Sequence, residues 1–109
     1  MDDCEAIEAA LEVFGRAWAG PVLRALLGGA ERFSEIRREV DGVTDAVLST
    51  RLRELCEHGL ATRTVEPGPP VVVRYRLTDA GLDAEPVLAA LAAFGRRRLG
   101  SNPGREFTR

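Results

Sequence analysis

The residues best suited to chemistry lie in the segment VTDAVLSTRLRELCEHGL, which spans residues 43–60. Three leucines at spacings of four and three predict a helix over about 45–57 with one apolar face, formed by Leu48, Leu52 and Leu55. The opposite face carries small and polar side chains with one arginine: Ala46, Ser49, Thr50, Arg53, Glu54 and Glu57. Such a face can enter a DNA major groove, because small side chains permit close approach and hydroxyl or guanidinium groups bond to base edges or phosphates. An ordinary amphipathic helix with a solvated face has the same pattern, and the helix taken alone favours that interpretation.

The sequence before this helix favours a helix-turn-helix over about residues 34–58. Ser34 is expected to cap a short helix over about 35–40, after a brief extended segment formed by Arg32 and Phe33. Asp41-Gly42 supplies a turn, and Thr44 caps the longer helix. Two capped helices joined by a tight turn are typical of DNA-binding proteins.

A β-hairpin should follow over about residues 60–77, once Gly59 has ended the helix in a left-handed conformation. Residues 60–65 and 71–77 alternate well enough for paired strands, with Arg74 and Arg76 on one face. The intervening tip contains Pro67, Gly68, Pro69 and Pro70, and it should project as a wing over about 66–72. The expected fold is therefore α+β and mostly helical, a winged helix-turn-helix.

Apolar stripes mark further helices over about 5–14 and 79–98. Pro86 is expected to kink the second of these, which Thr78 caps. Both carry more aliphatic side chains than a monomer of this size needs, so we interpret them as dimerisation helices with an interface formed by Ile7, Leu11, Phe14, Leu88, Leu91 and Phe94. The alternative is that they only cover the back of the winged motif.

Length and composition indicate one small domain over residues 1–99 and a flexible tail over 100–109. We expect a cytoplasmic protein, because no apolar run is long enough to span a membrane and no leader is apparent. The two cysteines lack metal-ligand spacing, and no catalytic constellation is present, so we expect no metal, no cofactor and no enzymatic activity. The net charge of −2 argues mildly against a nucleic-acid partner, but acids crowd the first dozen residues and the 15 basic residues, all arginine, cluster elsewhere.

Several of these motifs, in this order, resemble the HxlR family of bacterial transcription regulators, relatives of the MarR group. The likeness covers about residues 4–99. It rests on an early cysteine and on Trp18, which enters a predicted helix that carries Val22, Leu23, Leu26 and Leu27. It rests also on five short motifs: Arg32-Phe33-Ser34-Glu35-Ile36-Arg37-Arg38, Val43-Thr44, Leu48-Ser49-Thr50-Arg51-Leu52-Arg53-Glu54-Leu55, Gly59-Leu60, and Tyr75-Arg76-Leu77-Thr78 with Gly81.

The resemblance implies a homodimer that binds a pseudo-palindromic operator in double-stranded DNA, with recognition helices in successive major grooves and wings at flanking minor grooves or phosphates. By position, the implied DNA-binding residues are Thr44, Asp45, Ala46, Ser49, Thr50, Arg53 and, on the wing, Arg74. Arg51 is also typical of the family but lies at the edge of the apolar face, so a structural ion pair is expected for it. Related regulators have an effector pocket, and the resemblance therefore extends to a small-molecule effector that the sequence does not identify.

The chain departs from the family pattern at three places. Ala17 replaces a basic residue before the tryptophan, Asp45 and Ala46 begin the recognition helix, and the wing has Val71 and Val72 where a basic residue is usual. These differences suggest weaker or narrower DNA binding. They also motivate an alternative function, a winged-helix dimer that serves as a protein-interaction module without DNA binding.

Cys4 occupies the place where some members of the family have a thiol that senses oxidants. The start of a helix favours its thiolate form, whereas the neighbouring carboxylates of Asp2, Asp3 and Glu5 oppose it. The alternative, which we favour at this stage, is a small apolar side chain packed at the dimer interface.

Overall fold

The computed structural model describes residues 1–100, which form six helices and one two-stranded antiparallel sheet. The elements in chain order are α1 (Asp3–Phe14), α2 (Ala19–Leu27), α3 (Phe33–Glu39), α4 (Asp45–Glu57), β1 (Ala61–Glu66), β2 (Val72–Leu77), α5 (Asp79–Leu82) and α6 (Ala84–Arg98). A mostly helical winged helix-turn-helix was expected, and this order confirms it. Apart from Gly100, the predicted tail lies outside the described residues.

The core lies between α2, α3 and α4. The three leucines of α4 are buried as their spacing predicts, with Leu48 and Leu52 fully inaccessible to solvent. Leu23 of α2 and Ile36 of α3 are fully buried in the same cluster. Removing an aliphatic side chain of this size from water contributes about 1.5–3 kcal/mol, so these contacts fix the angle between the two helices of the helix-turn-helix.

The ends of α4 follow the sequence signals. The Thr44 hydroxyl accepts a hydrogen bond from the Val47 N–H at 3.2 Å. At the other end, Gly59 has a φ of +74°, the left-handed conformation that favours glycine. The helix therefore spans Asp45–Glu57, as predicted.

The start of α3 differs from the prediction, because Ser34 does not cap it. The helix begins at Phe33, and Arg32 is the extended residue before it. The Glu35 carboxylate instead accepts hydrogen bonds from the backbone N–H groups of Arg32 at 2.9 Å and Glu31 at 3.1 Å. A glutamate at the third helical position can reach back past the helix start, whereas the shorter side chain of Ser34 lies within the first turn.

The wing is the hairpin β1–β2, paired in register from Ala61 opposite Leu77 to Glu66 opposite Val72. Both strands begin one residue later than predicted. The Tyr75 N–H donates to the Glu31 carbonyl oxygen at 2.8 Å, which attaches the second strand to the segment between α2 and α3. The wing is thus anchored at its base to the body of the protein.

A break at Asp83, rather than a kink at Pro86, divides the C-terminal helical segment. Asp83 ends α5 and precedes α6. Pro86 consequently lies in the first turn of α6, where its missing N–H has no intrahelical partner to lose. The predicted cap at Thr78 is confirmed, since its hydroxyl accepts from the Gly81 N–H at 3.1 Å and donates to the Gly59 carbonyl at 2.7 Å.

Helix α1 has no buried residue, and every residue from Met1 to Ala10 is exposed. The side chains of Ile7 and Leu11 are 58% and 52% exposed. Of the residues assigned to a dimer interface, Leu91 and Phe94 on α6 are also exposed, whereas two others pack within the protomer. Phe14 is half-buried against the core.

The position of Leu88 differs from its predicted place at the dimer interface. It is buried in the protomer's own core because α6 packs against α2, where Gly20 leaves room for it. A core position therefore describes it better than an interface position.

Candidate nucleic-acid interface

Most of the outer face of α4 is accessible. Thr44, Asp45, Ala46, Ser49 and Arg53 are exposed, as a groove-reading face requires. Within residues 1–100, no carboxylate pairs with Arg53, so its guanidinium donors are available to a ligand.

Thr50 is less available than the sequence suggested. Its side chain is half-buried, and its hydroxyl donates a hydrogen bond to the Ala46 carbonyl oxygen at 3.0 Å. This back-bond to the preceding turn uses the hydroxyl proton, so Thr50 retains only acceptor capacity toward an external group.

An ion pair joins the two helices of the helix-turn-helix at the start of α4. Arg37 Nε lies 2.8 Å from Asp45 Oδ1, and both side chains are more than half exposed. Asp45 alone would repel a DNA phosphate, but its charge is balanced by that of Arg37 on α3. Sequence reasoning did not assign Arg37 or its exposed neighbour Arg38 to the site. The arginine cluster around residue 37 was the available signal, but the pairing itself needed the packing of α3 on α4.

Arg74 on the wing is held by two carboxylates. Its Nε donates to Glu66 at 2.9 Å and its Nη1 donates to Glu31 at 3.2 Å. Hydrogen bonding to Glu66 and the charge of that group raise the pKa of Arg74, so it stays charged while its donors are occupied. The structure thus places this predicted DNA-binding residue on the wing, but in an ion-pair network rather than free.

Arg51 forms the structural ion pair that was expected. Its guanidinium contacts the Glu54 carboxylate and donates from Nε to the Ala17 carbonyl at 2.9 Å. Arg16 approaches the same carboxylate at 3.4 Å. Hydrogen bonding from Arg51, opposed in part by desolvation, lowers the pKa of Glu54. These contacts fix α4 to the segment that joins α1 and α2.

Trp18 adds a second tie to the helix-turn-helix. It precedes α2 in the left-handed conformation, with a φ of 71°. Its ring lies over the turn between α3 and α4, because a Cβ atom placed on Gly42 would be 3.4 Å from the Trp18 Cη2 atom. Gly42 has a φ of +91°, so the turn favours glycine.

The two cysteines have different environments. Cys4 is exposed in the first turn of α1, whereas Cys56 is half-buried on α4 and burial raises the pKa of its thiol. Among residues 1–100, no group of three or more His, Cys, Asp or Glu side chains is placed to hold a metal ion. In the same part of the chain, no helix combines the length and apolarity needed to cross a membrane.

Comparison with known proteins identifies relatives that share the helix-turn-helix. The family described as HxlR-like helix-turn-helix matches residues 13–103. The HTH-type transcriptional regulator YvaP of Bacillus subtilis is 36% identical over 91 residues, which cover 84% of each chain. The HTH-type transcriptional regulator YodB of the same organism is 32% identical over 91 residues, or 84% of this chain and 81% of YodB.

Solved structures agree with these sequence relatives. The reduced form of YodB superimposes with a TM-score of 0.79 at 30% identity, covering 96% of this chain and 99% of YodB. The redox regulator HypR in its oxidised form gives a TM-score of 0.77 at 30% identity, covering 94% and 99% of the two chains.

Proposed function

The chain belongs to the HxlR-like helix-turn-helix family of transcriptional regulators, and from that premise we propose that it is a cytoplasmic homodimer that recognises a specific operator sequence. As a member of this family it is a DNA-binding regulator and not an enzyme. In the proposal, α4 enters the major groove, and the wing lies at flanking phosphates or the minor groove. Two-fold symmetry then implies half-sites about 10 bp apart, or a multiple of that distance.

The observation that carries the proposal is the outer face of α4. It is mostly accessible, small near its start, and carries Arg53, which pairs with no carboxylate among residues 1–100. Arg37 on α3 contacts the start of this face through Asp45, and Arg38 is exposed next to it in sequence, on the helix that crosses the phosphate backbone in a helix-turn-helix. The pairing of Arg37 with Asp45 removes one of the electrostatic objections to this placement.

The homodimer is supported by α1. A helix of 12 residues is marginal in water unless it buries an apolar face, yet α1 has no fully buried residue and contacts the core only through Val13 and Phe14 at its C-terminal end. Exposed Ile7 and Leu11, together with Leu91 and Phe94 on α6, supply apolar surface that a second copy would cover.

The decisive experiment is selection of bound fragments from a random duplex pool, followed by titration of the selected duplex and a scrambled one. Recovery of a two-fold symmetric sequence, bound by a dimer, is the expected result. Failure to retain any duplex at low salt, on a folded protein, would contradict DNA binding.

Sedimentation velocity tests the dimer separately. Phe94→Glu should shift the protein to monomer, because it places a charge in the proposed interface. Val65→Glu is the matched control, since Val65 on the wing is 51% exposed against 53% for Phe94 and should leave the dimer intact. A monomeric wild-type protein at micromolar concentration would contradict the homodimer.

A protein-interaction module is the second candidate, and the wing favours it. Val71 is 66% exposed at the hairpin tip, and two of the wing arginines, Arg74 and Arg76, are paired with carboxylates. Retention on heparin and mobility shift of random duplex at low salt discriminate the two functions, because a module without DNA binding shows neither.

The proposal extends to Cys4 as a thiol that senses oxidants. Its exposure on α1 supports this role, since oxidation there would act on the proposed dimer helix. Similar proteins include YodB, which has been solved in a diamide-treated form, and the redox regulator HypR. Diamide should change the operator affinity of wild type but not of Cys4→Ser. Equal responses of wild type and Cys4→Ser would contradict the sensing role and favour the alternative, in which Cys4 packs at the dimer interface.

A further inference from the structure

The segment between α2 and α3 places one carboxylate against the outward face of the wing. The Glu31 carbonyl oxygen accepts from Tyr75 N–H at 2.8 Å, and its own N–H donates to the Glu35 carboxylate at 3.1 Å. The backbone of Glu31 is therefore held from both sides. Its side chain lies beside β2 because of these contacts with a strand that is more than 40 residues away in sequence.

The Glu31 carboxylate engages both arginines that face outward from β2. Arg76 donates to it through Nε at 2.8 Å and Nη2 at 3.2 Å, and Arg74 donates through Nη1 at 3.2 Å. Glu66 accepts from the Nε donor of Arg74 at 2.9 Å. Two carboxylates thus face two guanidinium groups, and this outward face of the wing has a formal charge of zero.

A DNA phosphate that approached the Nε–Nη2 edge of Arg76 would need the donors that Glu31 now occupies, and the negative charge of Glu31 would also repel it. The paired Nε and Nη2 donors of Arg76 form the fork that binds a carboxylate or a phosphate in the same bidentate way. Only 28% of the Glu31 side chain is exposed, so the carboxylate is not a freely solvated counterion. Hydrogen bonding from Arg76 is the largest cause that lowers the pKa of Glu31, and the charges of Arg76 and Arg74 add to it. Glu31 is therefore ionised at neutral pH.

We propose that Glu31 restrains the sequence-independent affinity of this protein for DNA by competing with phosphate for the donors of Arg74 and Arg76. The inference rests on the proposed function, in which the wing lies at the DNA backbone. Phosphate contacts provide affinity without sequence information, whereas α4 reads bases. Neutralising the Arg74 and Arg76 face of the wing while leaving Arg53 available therefore raises the ratio of specific to non-specific binding.

Glu31→Gln tests the proposal, with Glu85→Gln as the matched control. Both variants remove one negative charge, but Glu85 is exposed on α6 and has no ion pair among residues 1–100. We measure affinity for scrambled and selected duplex over a range of salt concentrations. Glu31→Gln should bind scrambled duplex several-fold more tightly. The slope of log affinity against log salt should steepen by about 1–2, since each phosphate contact that a freed arginine gains contributes roughly 0.9.

Glu66→Gln should give a smaller gain, because it frees only one donor of Arg74. The double variant Glu31→Gln/Arg76→Gln should lose most of the gain, which separates release of arginine from a general loosening of the fold. Circular dichroism confirms that each variant is folded.

The outcomes separate this inference from the proposed function. If wild type binds DNA and Glu31→Gln shows the same slope as Glu85→Gln, the restraint by Glu31 is refuted while DNA binding stands. A weaker Glu31→Gln would show that the carboxylate positions the arginines for phosphate, which also overturns the proposal. If Glu31→Gln retained scrambled duplex and wild type bound no duplex at all, the restraint by Glu31 would be supported and operator binding by wild type would be contradicted. If neither wild type nor Glu31→Gln bound DNA, both the restraint by Glu31 and the proposed function would be contradicted.

Discussion

Arg37 Nε and Asp45 Oδ1 lie 2.8 Å apart, so the first helix of the helix-turn-helix neutralises the first residue of the second. An acid at the start of a recognition helix is costly beside phosphate, and the pair shows how the chain accommodates one. The guanidinium of Arg37 lies where the DNA backbone is expected, although its charge is balanced by that of Asp45.

Asp45→Asn should therefore tighten operator binding several-fold, because it removes the acid and frees Arg37 for phosphate. Stability should change by less than about 1 kcal/mol, since the pair is exposed. Asp79→Asn is the control, as Asp79 begins α5 in the same way. Arg37→Ala should weaken binding, and less so in the Asp45→Asn background. Titration of the four proteins as a double-mutant cycle gives the coupling, and a coupling of zero would contradict the role of the pair.

Arg53→Ala should cost about 1–3 kcal/mol of operator affinity and relax the preference at one base position. Arg53→Lys is the matched variant, because lysine retains the charge but not the bidentate geometry. It should preserve the salt dependence while losing base preference. Selection from a random pool with each variant measures both effects. An equal loss on every sequence would assign Arg53 to phosphate contact instead.

Glu35 predicts a pH-dependent contribution to stability. Hydrogen bonds from the Arg32 and Glu31 backbone N–H groups lower the pKa of its carboxyl below the ordinary value of 4.5. The stabilisation is present above that value, where the ionised form is favoured, and is lost as pH falls through the lower pKa of the folded state. Wild type should therefore melt at a higher temperature than Glu35→Gln at pH 7, and the difference should shrink below pH 4.5. Thermal melts across this range, with the exposed Glu39→Gln as control, measure it. A difference that is constant with pH would contradict the assignment.

Gly81→Ala should destabilise the protein by roughly 2 kcal/mol or more. An added Cβ would lie 2.0 Å from the Leu60 carbonyl oxygen, and this backbone contact cannot relax by rotating a side chain. Gly95→Ala is the matched control, because nothing lies within 4 Å of its added Cβ. That substitution in α6 should stabilise by about 0.5–1 kcal/mol. Chemical denaturation of both variants tests the contrast.

Local signals and non-local contacts explain which sequence predictions succeeded. The limits of α4 follow from nearby residues, since Thr44 caps its own helix and Gly59 supplies its own left-handed turn. Leu88 lay on a stripe that suits either a core or an interface, and only the packing of α6 on α2 decides between them. The pairing of Arg74 with Glu31 spans 43 residues, so no spacing rule anticipates it.

The errors at helix ends have a different origin. Ser34 and Glu35 both have side chains that bond to backbone N–H groups, and the longer one prevailed because it reaches two of them. Pro86 is compatible with a kinked helix or with the first turn of a new one. The break at Asp83 selects the second arrangement.

The chain contains one tryptophan, and its ring rests on the turn that connects α3 to α4. Its fluorescence therefore comes from a single site that touches the DNA-reading unit. Emission wavelength and quenching can follow the response of that turn to ligands or oxidants in solution, with no dye attached to the protein.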